Sequence, residues 1–189
     1  MLKKQIREEY LKKRVALSEQ DSATLSIAVQ QQFRKLNFPR LKTLLSYYPI
    51  REKKELDVTP CAEYLATLFA DLVTAWPRLD DNGLSMEAWP ISADGIYTKN
   101  KYNILEPLNG NPLAPEQVDL VFVPLLAFTE KGFRVGFGKG YYDRFLIRCR
   151  PDIWKVGFSY FEPVSSIRDI GHFDVPLTHC ITPSRIYEF

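Results

Sequence analysis

The chain has 189 residues, enough to bury one substantial core and too few for two ordinary domains, so a single unit over residues 1–189 is expected. At 46% hydrophobic and 25% charged residues the composition is that of a globular protein, and a net charge of +2 argues against a general polyanion binder. No apolar run reaches the length of about 18 residues that a membrane span needs. The opening MLKKQIREEYLKKR lacks the apolar stretch of a secretory signal, and three widely spaced cysteines (Cys61, Cys149, Cys180) fit reduced thiols in a cytoplasmic protein.

In chain order, Leu2, Ile6, Tyr10 and Leu17 are spaced to line one stripe of a helix over 2–17. Ser18 followed by Glu19 and Gln20 caps a second helix over 19–36, which Pro39 closes. TLLSYY (43–48) reads as a buried strand stopped by Pro49, and Thr59-Pro60 opens a helix over 59–70. DLVTAW (71–76) and GLSMEAW (83–89) read as strands on either side of a DDNG turn. The stretch 90–117, rich in Pro, Asn and Gly, reads as mainly loop. VDLVFVP (118–124) is the continuous apolar run of a strand buried on both faces. A glycine-punctuated segment then enters a helix over 140–150, and WKVGFS (154–159) and HCITPSRIY (179–187) supply the last strands. No internal repeat or low-complexity tract interrupts this order. Alternating strands and helices predict an α/β fold, a three-layer αβα arrangement around a mainly parallel sheet.

The charge is uneven. Residues 1–14 carry Lys3, Lys4, Arg7, Lys12, Lys13 and Arg14, and residues 131–155 carry Lys131, Arg134, Lys139, Arg144, Arg148, Arg150 and Lys155. Two such segments either converge on one compact anion or form separate solvated faces, and composition alone does not choose.

Residues 118–146 are the most informative. Gly136, Gly138 and Gly140 alternate, which lets backbone amides approach an anion without hindrance from a Cβ. Lys139 within that loop supplies a point charge for phosphate, the following helix start points its amides the same way, and Asp143 in its first turn suits Mg²⁺. Two familiar nucleotide motifs do not fit: Tyr141 stands where GxGxxG needs a third glycine, and Gly140 stands where a P-loop needs Ser or Thr. By itself the glycine pattern is also compatible with a plain tight strand-to-helix connection. His172 and His179 are too few for a His-based triad or zinc site, and no CxxC or HExxH occurs, so no transition metal is expected.

The string RVGFGKGYYDRFL (134–146), after VPLLAF (123–128) and a turn at Gly132, resembles the signature of the 5-formyltetrahydrofolate cyclo-ligase family, roughly VPxxAFDxxGxRLGxGxGYYDRxL. Thr129 replaces the usual Asp and retains the ability to cap a turn. KKQIR (3–7) is similar to the family's N-terminal K/R-x-x-x-R helix. The resemblance implies an ATP site formed by Lys3, Lys4, Arg7, Arg134, Gly136, Phe137, Gly138, Lys139, Gly140, Tyr141 and Tyr142. Lys139, Tyr141 and Arg134 would be its catalytic members. SYYPIREKKELDVTP (46–60) resembles the family's strand and acidic turn and implies that Glu55 grips the folate's pterin beside Tyr48, with Glu52 a competitor for the role. A carboxylate there can accept two hydrogen bonds from an aminopyrimidine edge. TAWPRLDDNGLSMEAW (74–89) is similar to the family segment around a Pro-Arg pair, here Pro77-Arg78. KYNILEPL (101–108) resembles a stretch in which Tyr102 replaces Trp, implying an aromatic surface for the substrate together with Lys139 and Tyr141. GHFDVPLTHCITP (171–183) implies Asp174 as a second Mg²⁺ ligand beside Asp143, with Thr178 replacing a second Asp.

The implied activity is ATP- and Mg²⁺-dependent ring closure of 5-formyltetrahydrofolate, free or polyglutamylated, in folate one-carbon metabolism. The expected protein is a cytoplasmic monomer without nucleic-acid or membrane partners. A catalytically silent relative that binds folate or nucleotide is the alternative, left open by Tyr102 and Thr178.

Overall fold

The computed structural model describes residues 1–80, 82–100 and 103–189. Among these residues four helices and eleven strands follow in the order α1 (Lys3–Val15), α2 (Glu19–Phe33), β1 (Thr43–Leu45), α3 (Thr59–Leu68), β2 (Val73–Leu79), β3 (Met86–Pro90), β4 (Tyr97–Lys99), β5 (Leu105–Pro107), β6 (Leu120–Val123), β7 (Ala127–Phe128), β8 (Arg134–Val135), α4 (Tyr141–Leu146), β9 (Trp154–Phe158), β10 (His179–Ile181) and β11 (Ile186–Glu188). Short 3-10 turns occupy 51–53 and 115–117.

The main sheet runs β11-β10-β9-β6-β1-β2-β3. Its five inner strands are parallel, and β3 and β11 close the two edges antiparallel. The period-2 alternation of a strand divides the core into two layers. From β6, Leu120 and Phe122 pack with Val29 and Phe33 of α2 and Cys61 and Leu65 of α3. Val121 and Val123 point the other way and pack with Phe145 and Leu146 of α4. Helices on both faces of a mainly parallel sheet are the expected α/β arrangement. Phe33 is fully buried against Phe122 and Phe158, a burial that contributes roughly 2–3 kcal/mol.

The helix starts follow their local chemistry. Ser18 Oγ accepts from Asp21 N at 2.9 Å and caps α2, while α3 begins with Pro at its first turn. Several expected bounds shift. The expected stripe of α1 is only partly correct, because Leu2 is exposed and the buried positions are Ile6 and Arg14. The strand expected over 43–48 ends at Leu45, with one further bond from Ser46 N to Ala75 O at 2.9 Å before the chain turns toward the site. β2 extends past Trp76 through Pro77 to Leu79. Its proline is tolerated because β1 pairs with β2 only as far as Ala75, leaving that side of the strand open. On the same side, Leu79 N donates to Glu106 Oε1 at 3.0 Å instead of to a strand. The expected loop 90–117 contains the β4–β5 hairpin, and α4 is six residues long, with Arg148 N and Cys149 N closing it by tighter bonds to Phe145 O and Leu146 O.

Two substituted positions find structural roles. Thr129 is buried and closes the β7–β8 turn, accepting from Gly132 N through its carbonyl and from Lys131 N through Oγ1. Thr178 Oγ1 accepts from Lys155 N at 2.8 Å and donates to Lys155 O at 3.1 Å, tying β10 to β9. No helix among the described residues is long and apolar enough to cross a membrane.

Candidate active site

In the order β2-β1-β6-β9-β10 the chain changes direction between β1 and β6. A crevice opens there, at the carboxyl ends of the strands, because the connections leaving β1 and β6 diverge to opposite sides. The segment 46–55 follows β1 and the segment from Pro124 to the glycine loop follows β6. Between them lies a cleft of about 560 Å³.

Helix α1 reaches this cleft through its apolar contact with the β7–β8 hairpin. Ile6 is fully buried with Ala127 and Val135, so the helix is clamped onto the strands that precede the glycine loop. Lys3 and Arg7, four residues apart, share one face and line the cleft. Arg7 Nε donates to Gly136 O at 2.9 Å, and its guanidinium lies against Gly138. Gly138 has φ +88° and Gly140 φ +68°, conformations that favour glycine, and together they turn the loop back into α4. Phe137 is held from outside the loop, with Lys53 Nζ 4.3 Å and the Arg14 guanidinium carbon 5.6 Å from its ring centre. Because α4 has only six residues, its dipole is a smaller contribution than the longer expected helix would make.

The cations and carboxylates of the cleft are already interlocked. Arg134 is 8% exposed, donates to Asp143 Oδ1 at 3.0 Å and to Val175 O, and has its pKa drawn down by burial against the pull of Asp143. Asp143 Oδ1 also accepts from Val175 N at 3.1 Å. Asp174 accepts from Lys3 Nζ at 2.6 Å through Oδ1 and from Gly171 N through Oδ2. Lys139 lines the cleft with an exposed side chain, and its carbonyl accepts from Arg144 at 3.0 Å. Tyr141 Oη donates to Gly83 O at 3.0 Å.

Opposite chemistry marks the segment after β1. Glu55 is 8% exposed; its Oε2 accepts from Ile50 N at 2.9 Å, while Oε1 is buried without a hydrogen-bond partner among the described residues. Burial pushes its pKa up, opposed by the Ile50 amide and by the charges of Arg14 and Lys53. Tyr48 lines the cleft and packs edge-on to Trp76 at 5.3 Å between ring centres. Tyr142 is partly buried with its Oη out of solvent and without a hydrogen-bond partner among the described residues, and desolvation raises its pKa well above the ordinary phenol value.

The fold thus gathers Lys3, Arg7, Tyr48, Glu55, Arg134, residues 136–143 and Asp174 around one cleft. Lys4 is exposed and does not line it. Glu52 is exposed on the turn, where its Oε1 accepts from Asn103 Nδ2 at 3.2 Å; the carboxylate that faces the cleft is Glu55. Tyr102 lies outside the described residues. Sequence reasoning missed Glu106, which lines the cleft from β5, is 8% exposed and accepts from Leu79 N and from Asn100 Nδ2 at 2.8 Å. Its signal was available: an acid beside Pro107 in an otherwise apolar stretch.

The profile of the 5-formyltetrahydrofolate cyclo-ligase family matches residues 1–183 of this chain. The chain belongs to that family. It is 27% identical to the 5-formyltetrahydrofolate cyclo-ligase of Mycoplasma genitalium over 181 residues, covering 94% of this chain and 97% of that one. It is 32% identical to the enzyme of Escherichia coli K12 over 144 residues, covering 71% and 75% of the two chains. Its fold is similar to the NMR structure of the Aquifex aeolicus 5,10-methenyltetrahydrofolate synthetase, with a TM-score of 0.81, 31% identity, and coverage of 100% of this chain and 93% of that one. The Mycoplasma pneumoniae 5,10-methenyltetrahydrofolate synthetase superposes with a TM-score of 0.75 at 25% identity, covering 97% and 99%. Members of this cyclo-ligase family are enzymes, and the cleft is where its chemistry is to be sought.

Among the described residues no cluster of three or more His, Cys, Asp or Glu side chains stands ready for a metal ion. Asp143 and Asp174 nevertheless supply the hard carboxylate oxygens that Mg²⁺ takes, and Mg²⁺ commonly needs only one or two such ligands when phosphate and water complete its shell. The hydrogen bonds from Arg134 and from Val175 N both reach Asp143 through Oδ1. The donor set therefore fits this ion.

Proposed function

We propose that this chain converts 5-formyltetrahydrofolate to 5,10-methenyltetrahydrofolate at the expense of ATP. In this reading ATP is a substrate: the formyl oxygen takes the γ-phosphoryl group and ADP leaves. The folate's N10 then bonds to the activated formyl carbon and gives up its proton to water, the carbon–oxygen bond breaks, and phosphate departs. The observation that carries the reading is the convergence of Lys3 and Arg7 of α1 with the loop 136–140 on the cleft that also holds Glu55.

Such phosphoryl transfer depends on neutralising charge and aligning two groups more than on a protein nucleophile. Lys3, Arg7 and Lys139 would neutralise the phosphates, and the glycine loop would let its amides approach them. Bound Mg²⁺, held by Asp143 and Asp174, would supply further charge neutralisation at the phosphates. Arg134, locked to Asp143 and Val175 O, would hold that carboxylate and the 171–175 segment in place. Glu55, with Oε1 unpartnered and Oε2 on Ile50 N, would accept from the aminopyrimidine edge of the pterin. Tyr48 would flank the ring.

The test mixes the protein with MgATP and 5-formyltetrahydrofolate and follows the near-ultraviolet absorbance of the methenyl product together with ADP release. Absorbance and ADP rising in equal amounts is the expected result. Tight folate binding without ATP consumption would overturn the enzymatic reading in favour of a silent relative.

A further inference from the structure

Helix α1 carries a third cation toward the cleft. Arg14 follows Arg7 by seven residues, about two turns, and so continues the face that bears Lys3 and Arg7. Unlike them it is buried, 4% exposed, and does not line the cleft. Its Nε donates to Lys53 O at 2.9 Å and its Nη1 to Leu125 O at 3.1 Å. Those carbonyls belong to the segments that follow β1 and β6, the two walls of the crevice. Among the described residues its Nη2 is buried without a hydrogen-bond partner, as is Oε1 of Glu55. A guanidinium removed from water needs a compensating anion. Glu55 is the foremost favourable charge acting on Arg14, although the two form no direct ion pair among the described residues.

We infer that Arg14 is a positioning residue for the folate subsite: from behind the cleft it keeps the Glu55 carboxylate anionic and aimed at the pterin. The inference rests on the reading of Glu55 given above and deepens it. One helix then registers both subsites, reaching the phosphate loop through Lys3 and Arg7 and the folate carboxylate through Arg14.

The groups that act on Glu55 are Arg14 from α1, Lys53 from the 51–53 turn, Tyr47 after β1, Tyr142 of α4 and Tyr160 after β9. Burial raises the pKa of all three tyrosines, which leaves them neutral near pH 7. Of the two cations, Lys53 is half-exposed and sits over the Phe137 ring, so solvent screens it more than it screens Arg14. Removing the Arg14 charge therefore leaves Glu55 more easily protonated, and a protonated Glu55 cannot accept both pterin hydrogen bonds.

The experiment measures KM for 5-formyltetrahydrofolate and for ATP between pH 6 and 9 in the wild type and in Arg14→Met, Arg14→Lys, Glu55→Gln and the Arg14→Met/Glu55→Gln double variant. Arg14→Met is expected to move the acid limb of the folate KM profile up by about one pH unit, the displacement that one unit of pKa gives, with KM recovering toward pH 9. ATP KM should stay within about threefold over the same pH range, about half a log unit. Arg14→Lys should shift the folate profile in the same direction by less, and it carries the test if the Met variant does not fold. In the Glu55→Gln background Arg14→Met should add nothing to the folate KM. An unchanged pH profile in the Arg14 variants, or a parallel rise of both KM values, would overturn the inference. If Glu55→Gln itself has a wild-type folate KM, the assignment of Glu55 fails first; if Glu55→Gln is impaired and the Arg14 variants are not, only the role of Arg14 fails.

Discussion

The guanidinium of Arg7 fills the space that a side chain at Gly138 would occupy: a Cβ built there lies 2.8 Å from Nη2 of Arg7. With Arg7 Nε bonded to Gly136 O at 2.9 Å, the helix cation and the glycine loop form one fitted unit. Gly138→Ala would push the flexible end of Arg7 aside and place alanine at φ +88°. The backbone cost is about 1 kcal/mol, because the displaced group can move. The functional cost should be larger, with kcat/KM for ATP falling at least about tenfold as Arg7 leaves its place, close to 1.4 kcal/mol of transition-state stabilisation. Thermal unfolding and steady-state kinetics on the same sample check both halves.

Lys139→Ala removes a side chain that is exposed and lines the cleft. Its fold should be unaffected, with stability within about 0.5 kcal/mol of the wild type, as for most surface substitutions. Turnover should fall by about 10²-fold or more if the ammonium neutralises charge on the transferred phosphoryl group. Near-wild-type turnover in a folded Lys139→Ala protein would remove Lys139 from the mechanism.

Which parts of this site could be read from residues alone follows from the range of the interactions. The glycine loop with Lys139 and Asp143 lies in eight consecutive residues, 136–143, so its chemistry is visible in one string. Lys3 and Arg7 were legible as a pair because helical spacing puts them on one face, but only the packing of Ile6 on Ala127 and Val135 decides that this face meets the loop. Glu55 and Glu52 are equivalent in a sequence; burial of one and exposure of the other separates them. Arg14 was indistinguishable from its neighbours Lys12 and Lys13 in a basic helix end, since the carbonyls that bury it come from residues 53 and 125. The separate hairpin β4–β5 escaped for a related reason: three-residue strands in a Pro-, Asn- and Gly-rich stretch carry no period, and their pairing is set by tertiary contacts.

Arg134→Met tests the internal ion pair. The guanidinium side chain is 5% exposed, and its loss leaves Val175 O without its donor and the Asp143 carboxylate, still held by Val175 N, without its counter-charge. Breaking one side of a buried pair costs about 3–5 kcal/mol, so urea unfolding should show a correspondingly lower midpoint with an unchanged slope. A loss below about 1 kcal/mol would mean that the pair behaves like an exposed one.

Glu55→Gln should separate stability from function. Burial raises the pKa of Glu55 in the folded protein even with the attraction of Arg14 and Lys53 included. A raised folded pKa means that the folded state is favoured with the carboxyl neutral. That contribution is fully present below the unfolded pKa and is lost as pH rises through the folded value. At pH 7 the neutral glutamine should therefore unfold at a higher temperature than the wild type while binding folate more weakly. The stability difference should shrink to nothing as pH falls below the ordinary glutamate range. Calorimetric scans at pH 7 and at about pH 4, near that range, make the comparison; a glutamine variant less stable than the wild type at pH 7 would contradict it.

Thr178→Val asks whether the substituted position near the C-terminus belongs to the site or to the sheet. Thr178 is absent from the cleft lining, and its hydroxyl is engaged with Lys155 N and Lys155 O on β9. Valine preserves shape and strand preference but leaves Lys155 N without its acceptor. The carbonyl is less affected, because Thr178 N still donates to it at 2.9 Å. One unsatisfied, partly buried donor costs about 1–3 kcal/mol. Stability should fall by that amount while the KM values for ATP and folate remain at wild-type levels. A change in the ATP KM without a loss of stability would instead tie position 178 to the nucleotide through Asp174, four residues earlier on the same segment.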